Sequence, residues 1–259
     1  MANAESDAVT VARLFVGETL AAGAEILLDA DRAHYLRNVL RLKSGDAIAL
    51  FNGRDGEWRA RIASFGRRDA RLTVATPSRP QRAAPDLWLA FAPIKRQRVD
   101  WLVEKATELG ASRMIPVLTR RTIVARVNLG RLRAHAIEAA EQTERLDVPQ
   151  IDDTVTLEKL LRDWPRERRL LLCAEAGHAQ PLAEALARFP RAAPPAMAVM
   201  TGPEGGYAPE ELDALAALPF VTPVGLGPRI LRADTAAVAA LACWQAWLGD
   251  GGARPPARF

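Results

Sequence analysis

The chain has 259 residues, 49% hydrophobic and 25% charged, with 35 Lys and Arg against 31 Asp and Glu, a balance that supports a sizeable globular core. No apolar run reaches the roughly 18–20 residues of a membrane helix, and MANAESDAVT lacks the basic start and apolar stretch of a signal peptide, so a cytoplasmic protein is expected. Cys173 and Cys243 stand far apart and His34, His135 and His178 are scattered, which suggests neither a disulfide framework nor a metal site; both cysteines read as buried structural thiols.

In chain order, ARLFVG, GAEILLD, DAIALFNG, EWRARIASFG and ARLTVAT are short apolar runs between Gly, Asp and Asn punctuation, the pattern of strands. Only RAHYLRNVL has helical spacing. A small, largely antiparallel β-barrel with one helix follows, assigned to residues 1–78. From Arg32 to Arg71 ten Lys and Arg face four acids, so the basic excess sits here and leans toward a polyanionic partner. TPSRPQRAAPD, residues 76–86, holds three prolines and reads as a linker.

From Leu87 onward the texture changes. LWLAFAP, RMIPVLT, RRLLLCAEA, AMAVMTG and VTPVGLG alternate with helical patterns, which predicts an α/β domain over 79–259 with a parallel sheet covered on both faces. In QRVDWLVEKATELG the apolar positions Val99, Leu102, Val103, Ala106 and Leu109 share a face, and Gly110 ends the helix. ADTAAVAALACWQAWLG is apolar almost all round, suited to burial within the domain or against a second subunit.

Ligands of open α/β sheets bind beyond the carboxyl ends of the strands. Three loops qualify: CAEAG, TGPEGG and GLGPRILRADT, each with small residues where backbone must approach a ligand. Neither a Walker G-x-x-x-x-G-K-[ST] nor a G-x-G-x-x-G after the first strand of this domain is present, which argues against standard nucleotide sites. TGPEGG alone is also what a tight turn before Pro209 looks like. GLGPRILRADT carries Arg229 and Arg232, which need either a carboxylate such as Asp234 or an anionic or carbonyl-rich substrate.

VDWLVEKATELGASRMIPVLTRRTIV, AAEQTERLDVPQI, TGPEGGYAPEE and LGPRILRADTAAVAAL, in this order, resemble the bacterial 16S rRNA uridine N3-methyltransferases of the SPOUT superfamily. HYLRNVLRLKSGDAIALFNGRDGEW resembles that family's N-terminal PUA-like RNA-binding domain. The resemblance implies a trefoil-knotted C-terminal domain, S-adenosyl-L-methionine as cofactor, a homodimer, and methylation of a decoding-region uridine of 16S rRNA, with the assembled small ribosomal subunit as substrate. Its cofactor loops fall on Ala174 and Glu175, on Thr201, Gly202, Pro203, Glu204, Gly205 and Gly206, and on Leu226, Gly227, Ile230 and Leu231. Two departures stand out: Ala233-Asp234 where the family often has Thr-Glu, and Arg96-Gln97 after Lys95 where Gly-Asp is commoner.

The N3 of uridine is a protonated imide nitrogen, so its methylation requires an anion to be stabilised and the reactants to be positioned. Within the resemblance, Arg232 would hold negative charge on the uracil oxygens. Asp234 would orient it or act as base, with Glu204 a competing base. Asp234 as a plain helix cap is the alternative. For RNA docking, His34, Arg37, Asn38 and Arg41 share one face of the predicted helix, opposite Leu36, Val39 and Leu40, and Arg13 matches a basic position of the family. A methyltransferase acting on ribose or another base, and a catalytically silent ribosome-binding factor, remain open as rivals.

Overall fold

Short apolar strands cannot cover themselves, and in the N-terminal part they pair edge to edge. The computed structural model describes residues 12–82, 84–174 and 179–253. By contact the chain divides into two units: one runs to Ala83 and takes in Ala140–Val148, and the other comprises Ala84–Ala139 and the chain from Pro149 onward.

The first unit contains β1 (Arg13–Phe15), β2 (Glu25–Leu28), α1 (Ala30–His34), β3 (Ala47–Phe51), β4 (Glu57–Phe65) and β5 (Ala70–Arg79). They form one sheet in the order β1-β3-β4-β5-β2, antiparallel except for β1 with β3. Register places Ile48 opposite Ala60 and Ile62 opposite Leu72, and these residues are fully buried in a single core with Leu14, Leu36 and Val74. Each such aliphatic side chain contributes about 1.5–3 kcal/mol. β5 continues through Arg79, so the predicted linker begins as strand.

The predicted helix around His34 departs from α geometry. Asp29 caps α1 by accepting from the Arg32 N–H at 2.9 Å, but residues Tyr35–Val39 form a π-helical turn closed by Leu40 N–H to the Tyr35 carbonyl at 3.0 Å. The wider turn rotates Val39 out of the core, leaving it 60% exposed where helical spacing had placed it inside.

The second unit contains β6 (Leu87–Phe91), α2 (Arg96–Glu108), β7 (Arg113–Leu118), α3 (Leu129–Gln142), β8 (Gln150–Ile151), β9 (Val155–Thr156), α4 (Leu157–Arg162), β10 (Arg169–Cys173), β11 (Gln180–Pro181), α5 (Leu182–Ala187), β12 (Met197–Thr201), α6 (Pro209–Ala216), β13 (Val221–Gly225) and α7 (Ala233–Trp247). The main sheet is parallel, in the order β11-β13-β10-β12-β6-β7-β8. Thus β12 lies between two strands formed earlier in the chain, and all five of its residues are buried. A parallel sheet sends every strand's carboxyl end to the same edge, and that edge carries the loops of interest.

Helix α2 buries Val99, Leu102, Val103 and Ala106, the face its spacing predicts. Gly110 follows at φ 78°, and a Cβ there would fall on Gln245, whose Nε2 donates to the Leu109 carbonyl at 2.7 Å. Helix α7 packs on α2, α5 and β12 through Ala237, Ala240, Leu241 and Trp244. Its other side, with Ala242, Cys243, Ala246 and Trp247, is exposed, so Cys243 is not the buried thiol expected. Among the described residues no helix is long and apolar enough to cross a membrane.

Candidate active site

Strands β10, β12 and β13 end at Cys173, Thr201 and Gly225, and the loops that follow them enclose a cavity of about 400 Å³. Ala174 lines it from the first loop. Thr201, Gly202, Pro203, Gly205 and Gly206 line it from the second, and Leu226, Gly227, Ile230 and Leu231 from the third. Glu175 lies outside the described residues.

Local chemistry shapes the second loop. Gly206 at φ 67° closes a turn by donating to the Pro203 carbonyl at 2.9 Å, a conformation that favours glycine. Pro209 then starts α6, and buried Glu211 accepts from the Ala208 N–H at 2.9 Å and the Arg120 N–H at 2.8 Å. Arg121 donates to the Gly205 carbonyl at 3.0 Å, fixing the loop from a second side. In the third loop Gly227 takes φ 101°.

Glu204 does not belong to the cavity wall. Its carboxylate is 3.2 Å from Arg98 of α2 and half exposed, so the carboxylate that reads as an inward-facing acid is turned toward a helix. Arg232 is the N-cap residue of α7 and exposed; Leu231 before it and Ala233 after it both line the cavity. Asp234 does not orient Arg232, since no ion pair joins them among the described residues; its Oδ1 accepts from the Thr235 N–H at 2.9 Å instead.

Three wall residues, Cys173, Tyr207 and Arg121, lie in the quoted segments but were not among the expected site residues. Cys173, the last residue of β10, faces the cavity, and burial pushes its thiol up to about 12, which keeps it neutral at physiological pH. Tyr207 is 7% exposed with its hydroxyl unpartnered among the described residues, and burial raises its pKa well above the ordinary phenol value. Its position directly after the glycine pair was the only available signal. Arg229 and Arg121 supply positive charge to a wall that has no carboxylate among the described residues.

The Tyr207 ring explains Gly202. A Cβ at Gly202 would lie 2.8 Å from the ring, whereas the nearest atom to a Cβ at Gly205 is 3.8 Å away. Displacing a buried ring costs about 1–3 kcal/mol. Gly202→Ala should therefore lower the melting temperature and weaken ligand binding in the cavity by roughly tenfold or more. Gly205→Ala should leave the melting temperature unchanged; calorimetric titration and thermal melts of both variants check this.

The candidate RNA contacts of the first unit do not form one stripe. His34 and Arg41 are exposed, His34 sharing a 2.7 Å hydrogen bond with Asn38, but Arg37 donates to the Gly66 carbonyl at 2.6 Å and lies over the Phe65 ring. Arg13 is largely withdrawn from solvent. Its side chain is 12% exposed and bonds Glu57 at 2.8 Å and the carbonyls of Ala140, Glu141 and Arg145 at 2.9–3.1 Å. These bonds tie β1 to Glu57 and to the segment 140–145 within the first unit.

A family model described as the RNA methyltransferase domain matches residues 81–245, and another, the RNA methyltransferase PUA domain, matches residues 28–75. The chain belongs to the RNA methyltransferase family. Among relatives of this RNA methyltransferase, the ribosomal RNA small subunit methyltransferase E of Rickettsia conorii is 34% identical over 231 residues, 89% of this chain and 93% of that protein. The crystal structure of a ribosomal RNA small subunit methyltransferase E from Neisseria gonorrhoeae bound to S-adenosyl methionine has a TM-score of 0.82 at 27% identity, covering 93% of this chain and 99% of that one. A Legionella pneumophila methyltransferase in complex with the bound cofactor SAM has a TM-score of 0.81 at 28% identity, covering 92% and 97%. Among the described residues no group of three or more His, Cys, Asp or Glu is placed to hold a metal ion.

Proposed function

We propose that this RNA methyltransferase binds S-adenosyl-L-methionine in the three-loop cavity and methylates N3 of one decoding-region uridine of 16S rRNA in the small ribosomal subunit. The cavity itself carries the reading. Its volume of about 400 Å³ suits a cofactor of this size, and its wall combines apolar Leu226, Ile230 and Leu231 with glycine backbone whose N–H and C=O groups approach a ligand closely. Likeness to the S-adenosyl methionine-bound Neisseria gonorrhoeae enzyme supports the same occupant.

The bound cofactor would supply an electrophilic methyl group on a sulfonium. Everything else falls to the protein. The N3–H proton must leave before or as N3 attacks the methyl carbon; the negative charge of the imide anion spreads onto the two uracil carbonyl oxygens and is consumed as the N–C bond forms and the methyl–sulfur bond breaks. Arg232, exposed between the wall residues Leu231 and Ala233 and without a carboxylate partner among the described residues, would hold that charge. Asp234, half-buried in the first turn of α7, retains Oδ2 as proton acceptor while Oδ1 holds Thr235 N–H. Glu204 is the weaker base candidate because Arg98 engages it. His34 and Arg41 offer phosphate contacts from the first unit.

A homodimer belongs to the same reading. The outward side of α7 is apolar, and Trp247 at 37% and Trp101 of α2 at 40% exposure are large hydrophobic surfaces that a second copy would cover. Digestion of methylated rRNA to nucleosides tests the chemistry: N3-methyluridine supports it, and a ribose 2′-O-methyl product contradicts it.

A further inference from the structure

A second cavity on the same edge of the sheet has a composition unlike the first. It measures about 490 Å³ and opens where α2 and α3 begin, over a floor that includes Ile94 and Val124. Lys95, Arg96, Arg126 and Arg131 surround it, with no acidic residue in its wall. Arg131 is compensated, its Nε lying 3.1 Å from Asp100, which also has His135 at 3.8 Å. Lys95, Arg96 and Arg126 have no counter-ion among the described residues. By contrast, their neighbours Arg98, Arg120 and Arg121 are engaged with Glu204, Glu210 and the Gly205 carbonyl.

Two helix N-termini add to the field. Lys95 gives α2 no side-chain cap, so the first N–H groups of that 13-residue helix are left for another acceptor. Asn128 accepts from Arg131 N–H at 3.0 Å at the start of α3, which satisfies only one donor there. Uncompensated cations, a helix N-terminus without a side-chain cap and a cavity meet at one place, and an anion satisfies all of them.

We propose that this cavity binds backbone phosphate of the RNA substrate, an inference that rests on the RNA-methylating reading above. Its volume of about 490 Å³ favours a phosphodiester with its flanking sugars over an isolated small ion. Placement supports the role: loops 92–95 and 119–128 that form it follow β6 and β7, whose carboxyl ends lie on the edge that also carries the glycine loops. The Arg98–Glu204 ion pair ties the start of α2, and the Arg121–Gly205 hydrogen bond ties loop 119–128, to the second glycine loop. RNA anchored on Lys95, Arg96 and Arg126 would be held in register with the cavity where methyl transfer occurs, without its sequence being read there.

The test is a salt titration of binding to a fluorescent single-stranded oligoribonucleotide by the full chain. Arg96→Gln combined with Arg126→Gln should reduce the log–log salt slope by about 1.4, two contacts at roughly 0.7 each, and weaken binding at low salt about tenfold. Arg162→Gln with Arg188→Gln, an equal charge change outside the cavity, should leave the slope at the wild-type value. S-adenosylmethionine affinity should be unchanged in both variants, which also reports folding. An unchanged slope in the first pair, or an equal fall in the control pair, overturns the site while wild-type methyl transfer to small subunits leaves the enzymatic reading intact. A specific slope loss in a protein that transfers no methyl group would sustain the phosphate site and sink the enzymatic reading.

Discussion

Replacing Arg232 with alanine should lower turnover by about 10²–10³-fold and leave S-adenosylmethionine affinity at the wild-type value. The two halves of this expectation come from different observations. Arg232 caps α7 between two wall residues, Leu231 and Ala233, but is itself exposed and outside the wall, so cofactor binding has no need of it. Its guanidinium has no carboxylate partner among the described residues, so its charge is available to a substrate. Removing one preorganised donor from a developing oxyanion typically costs ~2.7–4 kcal/mol, which is the stated loss of rate. Arg232→Lys should recover only part of it, because an ammonium keeps the charge and loses the planar fork. Single-turnover methylation at saturating cofactor, paired with calorimetry, measures both quantities. A parallel loss of cofactor affinity would instead assign Arg232 to building the cavity.

Arg13→Ala should destabilise the first unit by about 3–5 kcal/mol, the cost of leaving a buried charge unpaired. Glu57, only 7% exposed, would keep the Ser78 hydroxyl at 2.9 Å and Arg79 at the longer distance of 3.5 Å. The carbonyls of Ala140, Glu141 and Arg145 would lose this donor, and Phe51 the guanidinium stacked 4.6 Å from its ring centre. Burial lowers the Arg13 pKa and Glu57 opposes that effect, so the charged pair forms one unit. Adding Glu57→Gln to Arg13→Ala should restore part of the stability, since the buried carboxylate left with only the longer Arg79 contact is then neutral. Denaturant melts of the full chain decide the matter. Wild-type stability accompanied by weaker RNA binding would return Arg13 to the surface role its sequence position suggests.

These two arginines show what a linear sequence discloses and what it hides. The convergence of three loops on one edge was legible because strand and helix periodicities differ, and a parallel sheet sends the residues after Cys173, Thr201 and Gly225 to that edge. The buried face of α2 was legible for the same reason. Arg13 was not, because its partners are 44 and about 130 residues away in sequence and no local pattern marks a long-range ion pair. Glu204 looked inward by its setting between glycines, yet Arg98, 106 residues earlier, draws it outward. The π turn at Tyr35–Val39 was also hidden: one extra residue in a turn changes which side chain faces the core without changing composition, which is why Val39 was misplaced. The glycine cradle was evident as glycine, but Tyr207, which makes Gly202 obligatory, could be seen only in three dimensions.

The most direct test of the account is transfer of labelled methyl from S-adenosylmethionine to small ribosomal subunits isolated from a strain lacking this protein, with the modified nucleoside identified by mass spectrometry. The account predicts one N3-methyluridine in 16S rRNA, formed by the wild type and lost in step with cavity occupancy in Gly202→Ala. A wild-type protein that binds the cofactor but places no methyl group on the small subunit RNA, or places it on ribose, would contradict it.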